Sequence, residues 1–560
     1  MRAFYILFFL VTVSVLNAQV KPNIILILTD DQGYGDFGFT GNPFLETPNI
    51  DKLKAESVSF NNYFTPSICA PTRAGIMTGR FHYRTGVTDT YQSRVNMFPE
   101  EVTIAEYLKT ANYATGSFGK WHLGYNFPLR AMDQGFDEDL MWEEMQDVRV
   151  GPEIMENGKE VKYPKQAFLT DIIFDKASEF ITAKAKEKKP FFAYIATYLP
   201  HTHPNGKQVP DEYVKKYNHH DISWHTKDVY GMISKVDERI GKLIDKIEKL
   251  GIARNTVIIF TSDNGPQPGS SGNQGRSQVF EPRYNAGLRG FKNQMYDGGI
   301  KVPLLVRLKG KFEAGKQVNR LVTNLDILPT ILEISNVKSN QQKPLDGISF
   351  LPLIDSYPEK WPNERKFIYH FSRGEHFIDN KYKNYCIRTE RHKMVNGNQL
   401  YDLYSDPSEK NNIAKENKIL LNEMNNQFGA WFDDVTSWYG NVDRPANGIG
   451  YPEQKITTLY YFEKIPNLGW PIDIAKTKTY SVFVEDINHN LFGDDSYLCI
   501  SINNKIYQEK ILGSGKAIEF KNLELNKGRC YFNVFISGTK RKKEWRYQME
   551  DEGYRKIIIY

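Results

Sequence analysis

The sequence predicts an α/β protein with a largely parallel sheet flanked by helices, then a small antiparallel α+β unit, then a C-terminal β-sandwich. Three observations carry this. The runs at 21–29 and 256–261 are apolar almost without interruption, as suits strands buried on both faces of a parallel sheet. Segments with helical spacing alternate with the strands. The clearest, 226–250, places Val229, Met232, Ile233, Val236, Ile240, Leu243 and Ile247 on one face. Beyond residue 452 the helix signals fade and short strands alternate with turns.

Taken in order, residues 1–18 read as an export signal. Arg2 supplies the positive start, and the apolar run 4–15 is too short to span a bilayer comfortably. The protein is therefore expected outside the cytoplasm, in the periplasm or secreted. Strand 21–29 ends in Asp30-Asp31-Gln32-Gly33, and Thr47-Pro48 opens a short helix toward Glu56. Thr103 and Glu106 form a capping box for a helix through Thr110. Strand 114–118 leads into Gly119-Lys120-Trp121-His122-Leu123-Gly124, where Lys120 and His122 point the same way if the chain stays extended. Helix 171–189 precedes strand 191–197, which ends in Leu199-Pro200-His201-Thr202-His203. Strand 256–261 delivers Ser262-Asp263-Asn264-Gly265. Strand 302–307 follows, then a short helix, 326–332, interrupted by Pro329.

This alternation defines a catalytic unit at 19–365. Residues 366–438 read as the small antiparallel sheet with one helix, and the Gly/Pro/Asn-rich stretch 439–452 as a linker. Residues 453–560 form the sandwich, with strands at 456–462, 480–485, 497–502, 505–508, 530–536 and 554–560 and a hairpin turn at Asn503-Asn504.

Composition narrows the partners. Over 560 residues the net charge is only +5, with Lys and Arg interleaved with Asp and Glu, so nucleic acid is not a suggested partner. After signal cleavage no segment is apolar and long enough to bind the protein into a membrane. Four cysteines, Cys69, Cys386, Cys499 and Cys530, are too few for a disulfide scaffold, and whether Cys499 and Cys530 pair is open.

Polar chemistry collects at strand ends. Asp30, Asp31, Asp263 and Asn264 are hard oxygen ligands that suit Ca²⁺, or Mg²⁺, and no zinc-like Cys/His spacing occurs. Arg73, Lys120, His122, His201 and Lys292 add positive groups. A divalent cation ringed by positive side chains suits a tetrahedral oxyanion ester, whose nonbridging oxygens carry charge as the ester bond breaks.

The stretch Cys69-Ala70-Pro71-Thr72-Arg73, followed by Thr78-Gly79-Arg80, resembles the maturation signature of the type I sulfatases. Gly119-Lys120-Trp121-His122-Leu123-Gly124 is a second element similar to that family, and the motifs stand in the family's order over about residues 21–430. The resemblance implies an alkaline-phosphatase-like fold and a secreted bacterial polysaccharide sulfatase. It implies that Cys69 is oxidised by a formylglycine-generating enzyme to formylglycine (3-oxoalanine), whose hydrated aldehyde is the nucleophile. Ca²⁺ would be bound by Asp30, Asp31, Asp263, Asn264 and the modified Cys69. Arg73 would hold the modified residue, Lys120, His122 and Lys292 would contact sulfate, and His201 would assist the leaving group, with His203 the nearby alternative. Asp297 stands where the family more often has Glu, a structural difference. His82 and Arg84 are secondary candidates for the site.

The substrate class implied is a sulfated carbohydrate. Two other readings stand beside it: a phosphoester or phosphonate hydrolase of the same superfamily, and a glycan-binding protein without catalysis. The run Lys540-Arg541-Lys542-Lys543 with Trp545 and Arg546 suggests that the sandwich helps hold an anionic polymer.

Overall fold

Residues Asn23–Thr29 are buried at all seven positions, and the strand sits in the middle of a ten-stranded sheet. Its side chains alternate between two cores. Ile24, Leu26 and Leu28 join one and Ile25 and Ile27 the other, so both faces are covered and the run needs no polar position. The computed structural model describes residues 21–141, 153–201, 209–267, 269–271, 279–281, 283–339, 343–355, 357–373, 377–440, 444–460, 464–465, 468–485, 495–503, 505–511, 517–537 and 556–560. The export signal, His203 and the basic run at 540–546 lie outside the described residues.

Across the sheet the strands run Gln317–Val318, Val58–Phe60, Leu304–Leu308, Thr256–Ser262, Asn23–Thr29, Phe191–Ala196, Ala114–Gly119, Glu138–Met141, Glu153–Glu156, Lys159–Lys162. The five from Thr256–Ser262 to Glu138–Met141 are parallel, whereas Leu304–Leu308 is antiparallel to its neighbours. The long helix Trp224–Lys249, capped by the Ser223 hydroxyl, turns its apolar stripe onto one face. The helix read at 326–332 is observed at Ile327–Ser335, and Pro329 does not interrupt it. Pro329 lies in the first turn, where backbone N–H groups have no intrahelical acceptor to lose.

The strands Phe367–His370, Tyr385–Arg388, His392–Val395 and Gln399–Asp402 form an antiparallel sheet, and helix Lys418–Val435 packs on it through Met424, Phe428 and Phe432. Two further sheets, of five and four strands, share one core that joins Trp470, Ile500 and Phe532 to Tyr480, Val482 and Ile557, which is a sandwich.

Three of its strands escaped the sequence reading: Asn447–Ile449, Trp470–Ile474 and Ala517–Leu525. Pro471 and the charged residues of the last one obscured the alternation. The stretch expected as a linker thus contributes an edge strand, buried at all three positions. Cys499 and Cys530 are both free thiols. Cys499 stands opposite Phe535, five residues along the strand from Cys530, beyond disulfide reach.

Candidate active site

The parallel register sets the site. Thr29 pairs with Ser262, so the chain leaves both strands at one level and brings Asp30, Asp31, Asp263 and Asn264 together. The Asp31 N–H donates to Asp263 Oδ1 at 3.0 Å, and Asn264 Nδ2 donates to Asp31 Oδ1 at 2.7 Å. Asp31 holds φ 61°, a left-handed conformation that costs a non-glycine residue about 1 kcal/mol or more and turns its side chain inward.

Cys69 is the first residue of a helix, Cys69–Thr78, that the sequence reading did not identify and that is buried at every position. Ligand atoms of Asp30, Cys69 and Asp263 lie within 4.8 Å of one another. Arg73, one turn further on the same helix face, is wholly buried. Its Nη2 contacts Asp263 Oδ2 at 2.7 Å and Asp30 Oδ2 at 3.3 Å, while Nη1 donates to the Lys120 carbonyl at 2.9 Å and to Tyr194 Oη at 3.3 Å. Lys120 leaves the end of Ala114–Gly119, with Nζ 2.8 Å from Asp30 Oδ2 and 4.0 Å from Cys69 Sγ. Gly119 permits this: φ is +109°, and a Cβ there would lie 1.9 Å from the Ala196 carbonyl oxygen. Lys292 Nζ lies 2.7 Å from Asp31 Oδ1, and its backbone N–H donates to the Pro266 carbonyl at 3.0 Å. His201 Nε2 stands 3.7 Å from Asp31 Oδ2. Its side chain is 35% exposed while Asp30, Asp31, Arg73 and Lys120 are at most 2% exposed, so the site opens to solvent beside His201.

Burial dominates the titration behaviour. It pushes the Cys69 thiol up to about 12 despite Lys120 and Lys292, so an unmodified Cys69 is a protonated, weak nucleophile at neutral pH. Burial and then the neighbouring Asp30 push Asp263 up to about 7. Burial alone would also raise Asp30, but Lys120, His201 and Arg73 outweigh it and hold the carboxyl well below the usual range. His201 is lowered by the density of protein around its ring, although one edge stays open to solvent, and by Lys292.

The donor set fits a hard cation. Asp30 Oδ1 and Asn264 Oδ1 are buried and have no hydrogen-bond partner among the described residues. Such an orphan costs about 1–3 kcal/mol unless something satisfies it. Carboxylates gathered together, with an amide oxygen on the residue that follows Asp263, are ligands of the kind Ca²⁺ or Mg²⁺ takes.

The remaining candidates separate. His122 has φ 61°, which breaks the extended alternation expected for it. While Lys120 meets Asp30, the His122 ring nitrogen Nε2 pairs with the Thr90 carbonyl at 2.9 Å. Arg84 turns away and is bound to Asp346 and Asp434, because two carboxylates lie on its own side of the helix end. His82 is buried with Nδ1 2.8 Å from the Val87 carbonyl, packed on Tyr83 and Tyr369. Asp297 lies in a separate buried ion network with Arg388 and Lys393. Two supporting residues went unseen. Tyr194 looked like one more apolar strand position, and Arg283, which clamps Asp36 and donates to the Asp31 carbonyl at 2.9 Å, stood in no motif.

Comparison with known proteins bears on this geometry. The Sulfatase family model matches residues 22–337, and a second, N-sulphoglucosamine sulphohydrolase, C-terminal, matches residues 289–431. Human N-acetylgalactosamine-6-sulfatase is 30% identical over 371 residues, 60% of this chain and 66% of that one, so the chain spans about two thirds of that relative's length. The ulvan-active sulfatase of Formosa agariphila is 28% identical over 444 residues, 74% of this chain and 81% of that one. The structure of Ps i-CgsB in complex with k-i-k-neocarrahexaose superposes with a TM-score of 0.64 at 30% identity, over 75% of this chain and 95% of that one. Matched by the family model over more than half its length, with Cys69 at a helix start facing paired acidic strand ends, the chain belongs to the sulfatase family and is a hydrolase of sulfuric esters.

Proposed function

We propose that this protein is an exported, formylglycine-dependent sulfatase that removes sulfate from a sulfated polysaccharide or its oligosaccharides. The observation that carries the reading is the placement of Cys69: buried at a helix start, against two carboxylates and Lys120, with a thiol too basic to react as it stands. Conversion to formylglycine by the maturation enzyme supplies the hydroxyl nucleophile that such a thiol cannot, and a bound Ca²⁺, or Mg²⁺, neutralises charge on the ester's oxygens.

Asp30, Asp31, Asp263 and Asn264 would hold the cation together with the modified Cys69. Arg73 locks Asp30 and Asp263 in place and keeps the nucleophile's helix start beside them. Lys120 and Lys292, with His122 by the ring nitrogen that does not face the Thr90 carbonyl, receive the nonbridging oxygens of the sulfate. The two ammonium groups are fixed by carboxylates on the walls and so need no reorganisation as charge develops. His201, on the solvent side, has its imidazolium disfavoured before substrate binds, takes up a proton as the anionic ester binds beside it and gives that proton to the departing sugar oxygen. A singly charged ester suits this ring better than a phosphate monoester, whose second charge would face Asp30 and Asp31.

Residues 19–365 make up the catalytic unit, 366–438 complete its rim and 453–560 are accessory. Export to the periplasm or beyond rests on residues 1–18. The relatives that act on ulvan, or were captured with neocarrahexaose, support a polymeric carbohydrate as the substrate class.

The test is the mass of the Cys69 peptide, together with turnover of 4-nitrophenyl sulfate and 4-nitrophenyl phosphate. Protein from a host with the maturation enzyme should carry formylglycine and prefer the sulfate. Cys69→Ala should fold and lose turnover by at least about 10³-fold, the scale of a lost nucleophile. Appreciable turnover by that variant would overturn the reading.

A further inference from the structure

Four residues beyond His122, Asn126 is 2% exposed and uses all the hydrogen-bonding capacity of its amide on the C-terminal sandwich. Its Nδ2 donates to the Thr458 carbonyl at 2.9 Å and to Asn447 Oδ1 at 3.2 Å. Its Oδ1 accepts from Gln454 Nε2 at 2.8 Å and from the Thr458 N–H at 3.4 Å. Phe127 continues the contact. Its N–H donates to Gln454 Oε1 at 2.5 Å, its carbonyl accepts from the Gly448 N–H at 2.6 Å, and its ring lies 5.0 Å from that of Tyr451. Glycine is required opposite, since a Cβ on residue 448 would lie 2.8 Å from the Phe127 oxygen.

The same segment reaches the other side of His122. The buried Arg444 donates to Thr88 Oγ1 at 3.5 Å, two residues before Thr90, whose carbonyl holds the His122 ring. Trp438 Nε1 donates to the Tyr83 carbonyl at 2.6 Å, at the start of that loop.

We propose that the C-terminal sandwich is a brace that positions the sulfate-binding loop, with Asn126 and Gln454 as the positioning pair. The loop carrying Lys120 and His122 leaves the sheet at Gly119 and contains a second left-handed glycine, Gly124. Its first half is tied to the catalytic unit through the Lys120 N–H on the Ala196 carbonyl and the Leu123 carbonyl on the Met97 N–H, and beyond Gly124 it is tied to the sandwich through Asn126 and Phe127. Residues 444–458 clamp it downstream of His122 and clamp the Thr90 loop that His122 rests on. Ordering is thereby supplied before substrate arrives, which favours sulfate binding. The accessory unit therefore acts on every substrate, small or polymeric. This rests on the reading of Lys120 and His122 as sulfate contacts.

The test uses the full chain with Cys69 converted, and compares wild type with Asn126→Ala, Gln454→Ala and the double variant. The KM for 4-nitrophenyl sulfate and the inhibition constant of inorganic sulfate should rise together by roughly 10-fold, with kcat falling less than about 3-fold. The double variant should be no worse than the poorer single one, because both remove the same clamp. Gln454→Glu keeps the acceptor for the Phe127 N–H and should recover part of the loss, which a merely structural defect would not. If a variant is too unstable to assay, Arg444→Ala tests the second clamp by the same readouts. Unchanged KM and sulfate inhibition in folded variants would overturn the brace. A wild-type enzyme that inorganic sulfate does not inhibit would instead overturn the reading of the site.

Discussion

Among the described site residues His201 is the most exposed, and the role proposed for it is separable from those of its neighbours. Lys120 and Lys292 are held on carboxylates, and in the proposed site they would meet sulfate oxygens that carry charge in substrate and transition state alike. A proton donor matters in proportion to how badly the leaving group needs a proton. His201→Ala should therefore reduce turnover of a sugar sulfate by about 10²–10³-fold but that of 4-nitrophenyl sulfate by about 10-fold or less. Equal losses on both substrates, measured as kcat, would assign His201 to binding instead. Neighbouring Asp31 and Gly119 show what single residues contribute to placement. One accepts a left-handed backbone to aim a carboxylate, and the other lets a strand end pass within touching distance of its neighbour's carbonyl.

At the scale of elements, one short helix is locked into a buried ion network separate from the site. The helix Asp297–Ile300 begins at a carboxylate 2.7 Å from Lys393 and 3.3 Å from Arg388, and Glu409 completes the network 2.8 Å from Lys393. Burial alone would raise the Asp297 carboxyl. Arg388 and Lys393 outweigh it and hold the group well below the usual carboxylate range. A carboxyl depressed in the folded state contributes stability that is present above about pH 4 and is lost as pH falls further. Asp297→Asn should cost about 3 kcal/mol at pH 7 by leaving Lys393 and Arg388 under-neutralised. Denaturant melts from pH 7 down to pH 3 should show a shallower acid limb for the variant. An unchanged melt at pH 7 would remove the network from the stability account. Asp297→Glu should retain most of the stability if the second sheet can shift by one methylene.

Across the whole molecule, the proposed cation would link chemistry and stability. Asp30, Asp31 and Asp263 come from two strands of the central sheet, so a bound ion ties those strands where they splay into loops. Exhaustive chelation should abolish sulfate release and lower the melting temperature, and Ca²⁺ at about 100 times its dissociation constant should restore roughly 2.7 kcal/mol. Full activity with no metal detected would contradict this. The basic run at 540–546 supports a second expectation for the sandwich. Neutralising Lys540, Arg541, Lys542 and Lys543 should weaken action on sulfated polymer, most at low salt, and spare 4-nitrophenyl sulfate. That pattern differs from the brace, whose loss reaches both substrates.

What the sequence determined by itself was local or strongly patterned. The apolar runs marked the central strands because burial on both faces leaves no room for polar residues. The Cys69, Lys120 and Asp263 motifs pointed to the proposed chemistry because each reaction role needs a residue type at a strand or helix end. Register, partners and direction were decided only by the tertiary structure. That Thr29 stands opposite Ser262, that His122 turns to Thr90 while Lys120 turns to Asp30, and that Arg84 leaves for Asp434 all depend on contacts between residues tens to hundreds of positions apart. The clearest case is the stretch 439–452. Its Gly, Pro and Asn content reads as a linker because local propensity favours turns. In the fold its Gly448 comes against the Phe127 carbonyl and its Asn447 meets Asn126, which Gln454 and Thr458 beyond it also engage, roles set by neighbours more than 300 positions away.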